Sequence, residues 1–124
     1  MFFKKLLKKN KKLSWDDYFI NVMHSIALRA TCDRGRSAGV IVRDNRILVT
    51  GYVGSIPGAP ECDEVGHMLE KVIHGDGTVS EHCHRTLHCE QNSLLQAAKL
   101  GISVDGATVY VSMTPCRVCA MMLI

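Results

Sequence analysis

Apolar residues recur at helical spacing early in this chain and are then concentrated in two short runs. After Ser14, a good N-cap residue, apolar and aromatic residues recur at helical spacing, which predicts a helix to about Ala30 with its aromatic side chains in the core. Residues 38–42 and 46–52 are rich in β-branched residues and predict two strands. The Asp44-Asn45 pair between them favours a tight hairpin turn.

The second half begins with a long insert, residues 53–87, which is rich in glycine, cysteine and histidine. Residues 88–100 then predict a helix that ends at Gly101 in the C′ position. Residues 107–113 alternate as a strand does, and Thr114-Pro115 supplies an N-cap and a first helical residue for another helix. The expected inner face of the helix at 88–100 consists of Leu94, Leu95, Ala98 and Leu100.

Composition limits the class of protein. A chain of 124 residues forms one small domain, and its net charge of +3 comes mostly from lysines in residues 1–13. We interpret that segment as a basic N-terminal leader, with a nucleic-acid or membrane arm as the alternative. No apolar run is long enough for a signal peptide or a membrane span, so a cytoplasmic protein is expected. Its six cysteines should then bind metal or stay reduced.

One set of residues carries candidate chemistry: the run His88-Cys89-Glu90 and, further on, Pro115-Cys116-Arg117-Val118-Cys119. Catalytic zinc sites use three protein ligands and leave the fourth position to water. His88, Cys116 and Cys119 are the candidate ligands, and Glu90 is the candidate catalytic carboxylate. A lone C-x-x-C could be a redox pair or half of a zinc knuckle, and a closed structural site with Cys89 as fourth ligand is a further alternative.

This H-x-E…P-C-x-x-C pattern resembles the zinc-dependent nucleobase deaminases. The chain is most similar to the cytidine and deoxycytidylate (dCMP) deaminase family, whose dCMP branch also carries Asn at the position of Asn92 and a loop like residues 51–58. The resemblance implies an α/β protein with three α/β/α layers and a mixed sheet, lacking the last strands of the family domain. It also implies Zn²⁺ as cofactor and hydrolysis of dCMP to dUMP and ammonia, with Glu90 moving the protons. Cys89 and Asn92 are the implied substrate-binding residues.

Some dCMP deaminases hold a second, structural zinc beside such an insert. The resemblance therefore implies a possible second zinc on Cys32, Cys62 and Cys83, with His84 as our candidate for the fourth ligand and His67 or His82 as alternatives. The other interpretation is a set of free thiols and surface histidines. For a substrate phosphate, the candidate contacts are Arg34, Arg36, Arg43, Arg46 and Arg85, with a surface salt-bridge partner as the other interpretation of each.

The resemblance assigns residues 14–124 to a deaminase domain that is incomplete at its C-terminus, since the family domain continues with further strands. We therefore expect an open strand edge and an exposed apolar helix, and hence a homo-oligomer or an aggregation-prone chain. The expected partner is a small nucleotide, with no membrane and no nucleic acid. The alternatives are a non-catalytic zinc module, for instance a competence-associated one, and a deaminase that acts on bases in nucleic acid.

Overall fold

The computed structural model describes residues 11–124. The basic leader predicted for residues 1–13 therefore lies almost entirely outside the described residues. The elements, in chain order, are α1 (Trp15–Ala27), β1 (Ala38–Arg43), β2 (Arg46–Tyr52), α2 (Cys62–Val65), β3 (Leu69–Ile73), β4 (Val79–Cys83), α3 (Cys89–Leu100), β5 (Thr108–Val111) and α4 (Arg117–Leu123). No helix in this part of the chain is both long and apolar enough to cross a membrane.

A three-stranded sheet in the order β2-β1-β5 forms the middle layer of the domain. Both pairings are antiparallel, so the described strands contain only the antiparallel part of the mixed sheet that was expected. The hairpin between β1 and β2 turns at Asp44 and Asn45, whose φ angles of 51° and 57° are both left-handed. Two left-handed residues make the I′ type of turn, as the Asp-Asn pair predicted.

The side chains of β1 alternate between the two faces of this sheet, and a helix packs against each face. Val40 and Val42 are buried on the face that packs against Phe19 and Met23 of α1. The intervening Ile41 is fully buried on the opposite face, in a cluster that includes Ala97 of α3. The predicted three-layer α/β/α architecture is thereby confirmed.

The aromatic residues of α1 are less buried than predicted. Phe19 is 1% exposed, but Trp15 is 50% exposed and Tyr18 is 44% exposed. The Trp15 ring stacks on Phe19, with the ring centroids 5.7 Å apart, at the rim of the core. The helical period therefore located the buried face correctly at Phe19 and Met23, whereas Trp15 and Tyr18 remain partly in solvent.

The inner face of α3 also differs from the prediction. Leu95 and Leu100 are more than half exposed. The buried face is instead formed by small residues one helical turn apart, together with Glu90: Cys89, Ser93 and Ala97. Small side chains are needed there because the helix lies so close to β2 that a Cβ added at Gly51 would collide with it.

The composition of the insert between β2 and α3 suggested a plain loop, but the insert has regular structure of its own. It contains the short helix α2 and a separate two-stranded antiparallel sheet made of β3 and β4. Its two ends are joined by backbone hydrogen bonds between Gly54 and Leu87, with N···O distances of 3.3 and 3.0 Å. The insert thus leaves the domain and returns to it at the residue just before His88.

Candidate active site

The N-termini of α3 and α4 bring three metal-ligand side chains together. His88 is the N-cap residue of α3, and Cys116 is the N-cap residue of α4. The expected N-cap at Thr114 is two residues too early, because the Cys116 backbone is still extended and its Sγ accepts the hydrogen bond from the Cys119 N–H. Cys119 lies one turn into α4 and is completely buried.

The spacing of the three donor atoms matches a tetrahedral zinc site. His88 Nδ1 lies 3.6 Å from Cys116 Sγ and 3.5 Å from Cys119 Sγ. Tetrahedral angles and ordinary bond lengths of about 2.3 Å for Zn–S and about 2.0–2.1 Å for Zn–N place such donors roughly 3.6 Å apart. Two thiols and an imidazole at these separations form a donor set suited to zinc, so the side chains present fit the metal that the family implies.

The surroundings of the Cys119 thiol favour its protonated form. Burial, the hydrogen bond with Cys116 and the nearby charge of Glu90 together raise the pKa of Cys119 to about 12. A thiolate is therefore unfavourable in this setting by itself. A bound divalent cation would reverse this preference, because coordination removes the proton from a thiol.

Glu90 lies in the first turn of α3, directly beside these ligands. It is 6% exposed and lines a cavity of about 240 Å³ together with His88 and Cys116. Its Oε2 accepts a hydrogen bond from Cys89 Sγ at 3.3 Å. A buried carboxylate that opens into the same cavity as the ligand cluster is suitably placed to accept a proton and deliver it to a bound molecule.

Cys89 and Asn92, the residues implied as substrate contacts, are not among the residues that line this cavity. Cys89 is 1% exposed and lies behind Glu90. The Asn92 side chain donates from Nδ2 to the carbonyl oxygen of Tyr52 at 2.8 Å and, more weakly, to that of Gly54 at 3.5 Å. These contacts hold α3 to the end of β2 and to Gly54, so Asn92 helps to position the helix whose first turn carries Glu90.

A second cluster of metal-ligand side chains lies beside the same cavity. The side-chain donor atoms of Cys32, Cys62, His67 and Cys83 all lie within 4.8 Å of one another. Cys32 Sγ is 3.6 Å from His67 Nδ1, and Cys62 Sγ is 3.5 Å from Cys83 Sγ. Four donors of this kind are typical of a closed structural zinc site. Sequence separation gave little indication of it, because Cys32 precedes β1 and the other three belong to the insert.

Two cysteines of this second cluster have pKa values that are shifted from the ordinary value of a thiol. Burial and hydrogen bonds with Cys83 and Cys32 raise the pKa of Cys62. Burial also acts to raise the pKa of Cys83, but hydrogen bonds from the backbone of Met68 and Arg85 and from the Cys62 side chain outweigh it and lower that pKa. The pKa values of these two thiols, whose sulfurs lie 3.5 Å apart, are therefore shifted in opposite directions.

The histidine of the cluster is His67, and His84 requires a correction. His84 lies in the turn that follows β4, and it is not among the residues whose donor atoms gather in the cluster. Its Nε2 lies 3.2 Å from Glu70 Oε2. His67 instead presents Nδ1 to the cysteines, while its Nε2 lies 2.8 Å from Asp33 Oδ1. A carboxylate on the far nitrogen of a histidine is the usual way to orient a metal ligand, and sequence reasoning did not identify Asp33.

Comparison with known proteins agrees with this geometry. The family model described as "Cytidine and deoxycytidylate deaminase zinc-binding region" matches residues 13–124. The chain belongs to this family. Its match includes both α3 and α4, whose N-termini carry the candidate zinc ligands.

Curated relatives of this chain include one bacterial protein and one phage protein. ComE operon protein 2 of Bacillus subtilis (strain 168) is 39% identical over 114 residues, which cover 92% of this chain and 56% of that protein. The deoxycytidylate deaminase of Mycobacterium phage D29 is 32% identical over 111 residues, which cover 88% of this chain and 85% of that protein. This chain thus spans a little over half the length of the Bacillus relative and most of the phage one.

Among solved structures, the dCMP deaminase of cyanophage S-TIM5 in complex with dCMP and dUMP resembles this family member with a TM-score of 0.70. The two share 24% sequence identity over 92% of this chain and 76% of the phage chain. At that identity the likeness establishes a common fold. This chain and the phage deaminase therefore share the three-layer arrangement described above.

Proposed function

We propose that this protein is a zinc-dependent hydrolase that deaminates dCMP to dUMP and ammonia. The observation that supports the proposal best is the opening of Glu90 into the same cavity as His88 and Cys116 of the ligand cluster. A non-catalytic zinc module would have no need of a buried carboxylate at this point. The names of the phage relatives support dCMP as the substrate.

The residues have separate tasks in this reaction. His88, Cys116 and Cys119 would hold the metal, and zinc, when bound there, supplies a Lewis acid that brings the pKa of a water molecule close to neutrality. Glu90 accepts the proton of the attacking water and carries it to N3 of the cytosine ring. Once the water oxygen has bonded to C4, Glu90 takes up the second proton of that oxygen and delivers it to the amino group; the C4–N bond breaks, ammonia leaves and the oxygen becomes the C4 carbonyl, so that one carboxylate acts alternately as a base and as an acid.

The surroundings of Glu90 favour this double task. With 6% exposure the carboxylate meets little bulk water, so the proton that it holds is retained for the substrate. The cavity volume of about 240 Å³ lies just below the roughly 300–1,000 Å³ that is usual for small-molecule sites. A single nucleotide is the class of substrate that suits so small a cavity.

A second proposal concerns Cys32, Cys62, His67 and Cys83, which would hold a structural zinc. This cluster joins the chain before β1, the helix α2 and the strand β4, and two of its members, Cys32 and Cys83, line the cavity that Glu90 also lines. A metal at this point would fix the insert against the domain and so set one wall of the cavity. Structural zinc of this kind contributes directly to folding free energy.

The experiment that tests the proposed activity compares Glu90→Gln with Glu70→Gln. Glu70 is an exposed carboxylate on β3, so its replacement serves as a matched control. With dCMP as substrate and ammonia release as readout, Glu90→Gln should lose at least about 100-fold in kcat, as removal of a general acid–base group does, while its zinc content stays unchanged. Glu70→Gln should retain full activity. Turnover by Glu90→Gln at the wild-type rate would refute the assignment.

A further inference from the structure

Cys89 is a cysteine that neither cluster of metal-ligand side chains uses. All six cysteines of the chain lie in the described range, and five of them belong to the two clusters. The thiol of Cys89 is absent from both clusters and from the lining of the cavity, and the residue is 1% exposed. A buried polar group is normally held by a hydrogen bond, so the partner of this thiol indicates its role.

The partner is the carboxylate of Glu90. Cys89 Sγ lies 3.3 Å from Glu90 Oε2, and both residues are buried. An ionised carboxylate can only accept hydrogen bonds, so the S–H is the donor. Loss of that proton would place a thiolate against a carboxylate away from water, which burial and like charge both disfavour. The hydrogen bond therefore has one direction, from sulfur to oxygen.

The position of the Cys89 sulfur is fixed by its backbone. Cys89 is the first residue of α3, and its carbonyl oxygen accepts a hydrogen bond from Ser93 Oγ at 2.8 Å. The same oxygen lies against β2, where a Cβ added at Gly51 would be only 2.5 Å from it. A cysteine has one side-chain torsion with three staggered positions, so a fixed backbone leaves its sulfur few places to lie. Glu90 has three such torsions, so the orientation of its carboxylate depends on what holds the end of the side chain.

Metal binding would leave Cys89 as the thiol donor beside Glu90. The other two cysteines at this site are Cys116, which lines the same cavity, and Cys119 of the same ligand cluster. Both are candidate zinc ligands, and coordination removes the proton from a thiol. Neither could then donate to the carboxylate, whereas Cys89 lies outside the cluster and keeps its S–H.

We propose that Cys89 is a positioning residue for the proton transfers: its S–H holds Oε2 of Glu90 and leaves Oε1 to exchange protons with the substrate. This inference rests on the proposed function, because it takes Glu90 as the group that moves the protons. Cys89 itself touches no substrate, since it lies outside the lining of the cavity. Its contribution is preorganisation, because a carboxylate held at one oxygen presents the other in one direction before the substrate arrives.

The kinetic test uses Cys89→Ala, Cys89→Ser and the control Ser93→Ala on the zinc-loaded protein with dCMP. Cys89→Ala should lower kcat about 3- to 10-fold, the factor that one modest hydrogen bond supplies, and leave KM unchanged. Cys89→Ser should recover most of the loss, because a hydroxyl also donates. Ser93→Ala removes a buried hydroxyl one turn further along α3 that bonds to a backbone carbonyl, and it should keep the wild-type kcat. An unchanged kcat in Cys89→Ala, an equal loss in Ser93→Ala, or a loss that serine does not recover would overturn the inference.

Infrared difference spectra of wild type against Cys89→Ala detect the S–H stretch of Cys89 without turnover, so they separate this inference from the proposed activity. We expect this band below the frequency of a free thiol, and we expect Glu90→Gln to raise it, since an amide oxygen accepts more weakly than a carboxylate. A band at the free-thiol frequency, or one that Glu90→Gln leaves in place, would refute the contact. If the wild-type protein does not deaminate dCMP, the proposed function fails, and the band still decides whether Cys89 holds the carboxylate. Zinc content and thermal unfolding of each variant confirm that it is folded.

Discussion

Replacing Gly51 by alanine should push α3 away from the sheet and so disturb the zinc-ligand cluster. A Cβ on Gly51 would lie 2.5 Å from the carbonyl oxygen of Cys89 and 2.7 Å from the backbone nitrogen of Ser93, with Ser93 Oγ nearer still. Real Cβ atoms essentially never approach another atom within 3.0 Å, so the first turn of α3 must move by at least about 0.5 Å, the difference between 2.5 and 3.0 Å. Backbone atoms cannot give way as a flexible side chain does.

The consequence for the site follows from the position of that turn. His88 and Glu90 flank Cys89 and must move with it, whereas the three atoms nearest to the added Cβ all belong to α3 and none to α4. Zinc-ligand distances tolerate only about 0.2 Å, and a misplacement of about 1 Å can lower a catalysed rate about 100-fold. Overpacking of this kind also costs about 1–3 kcal/mol of stability. We expect the free energy of unfolding to fall by that amount, together with zinc affinity and kcat.

The matched control is Gly39→Ala. Gly39 also lies in the sheet, on β1, but a Cβ there would have its nearest neighbour, Val111 Cγ1, at 3.4 Å, which is ordinary contact. Alanine at that position should be neutral or slightly stabilising, because it restricts the unfolded chain. Urea unfolding, zinc competition with a chelating dye and kcat for dCMP measure the three effects. If Gly51→Ala matched Gly39→Ala in stability and zinc affinity, the close-approach argument would be wrong.

Two further predictions concern α1 and the second cluster. Tyr110 Oη donates to Asp16 Oδ1 at 2.6 Å, and this hydrogen bond raises the pKa of Tyr110 above its ordinary 10.0. Because the pKa is raised, the hydrogen bond stabilises the fold below pH 10, and this stability is lost above it. Urea unfolding at neutral pH should therefore show Tyr110→Phe less stable than wild type by under about 1 kcal/mol. The difference in the free energy of unfolding should close at strongly alkaline pH. A gap that widened there would contradict this. For the second cluster, metal analysis should find two zinc ions per chain, one for each group of ligands. One zinc ion should be lost in Cys62→Ser or His67→Ala, and none in His84→Ala. Loss of zinc in His84→Ala would refute the choice of His67.

Much of the fold was predictable from the sequence because its determinants are local. The hairpin turn at Asp44-Asn45 and the end of α3 at Gly101 depend on left-handed backbone that these residues adopt readily. The β-branched residues of β1 likewise predicted a strand. The buried face of α3 was not predictable in this way, since the close approach of Gly51 selects small residues and leaves Leu95 in solvent. Hydrophobicity alone pointed to the leucines.

The candidate zinc ligands and Glu90 could be named from the sequence because their spacing along two short segments already encodes the chemistry. His-x-Glu and Pro-Cys-x-x-Cys are each confined to a single helix start. The choice of His67 over His84 depended on which histidine of the insert lies beside Cys32, Cys62 and Cys83. These are contacts between segments far apart in the chain, and residue type is the same for every candidate. Only the tertiary structure distinguishes them.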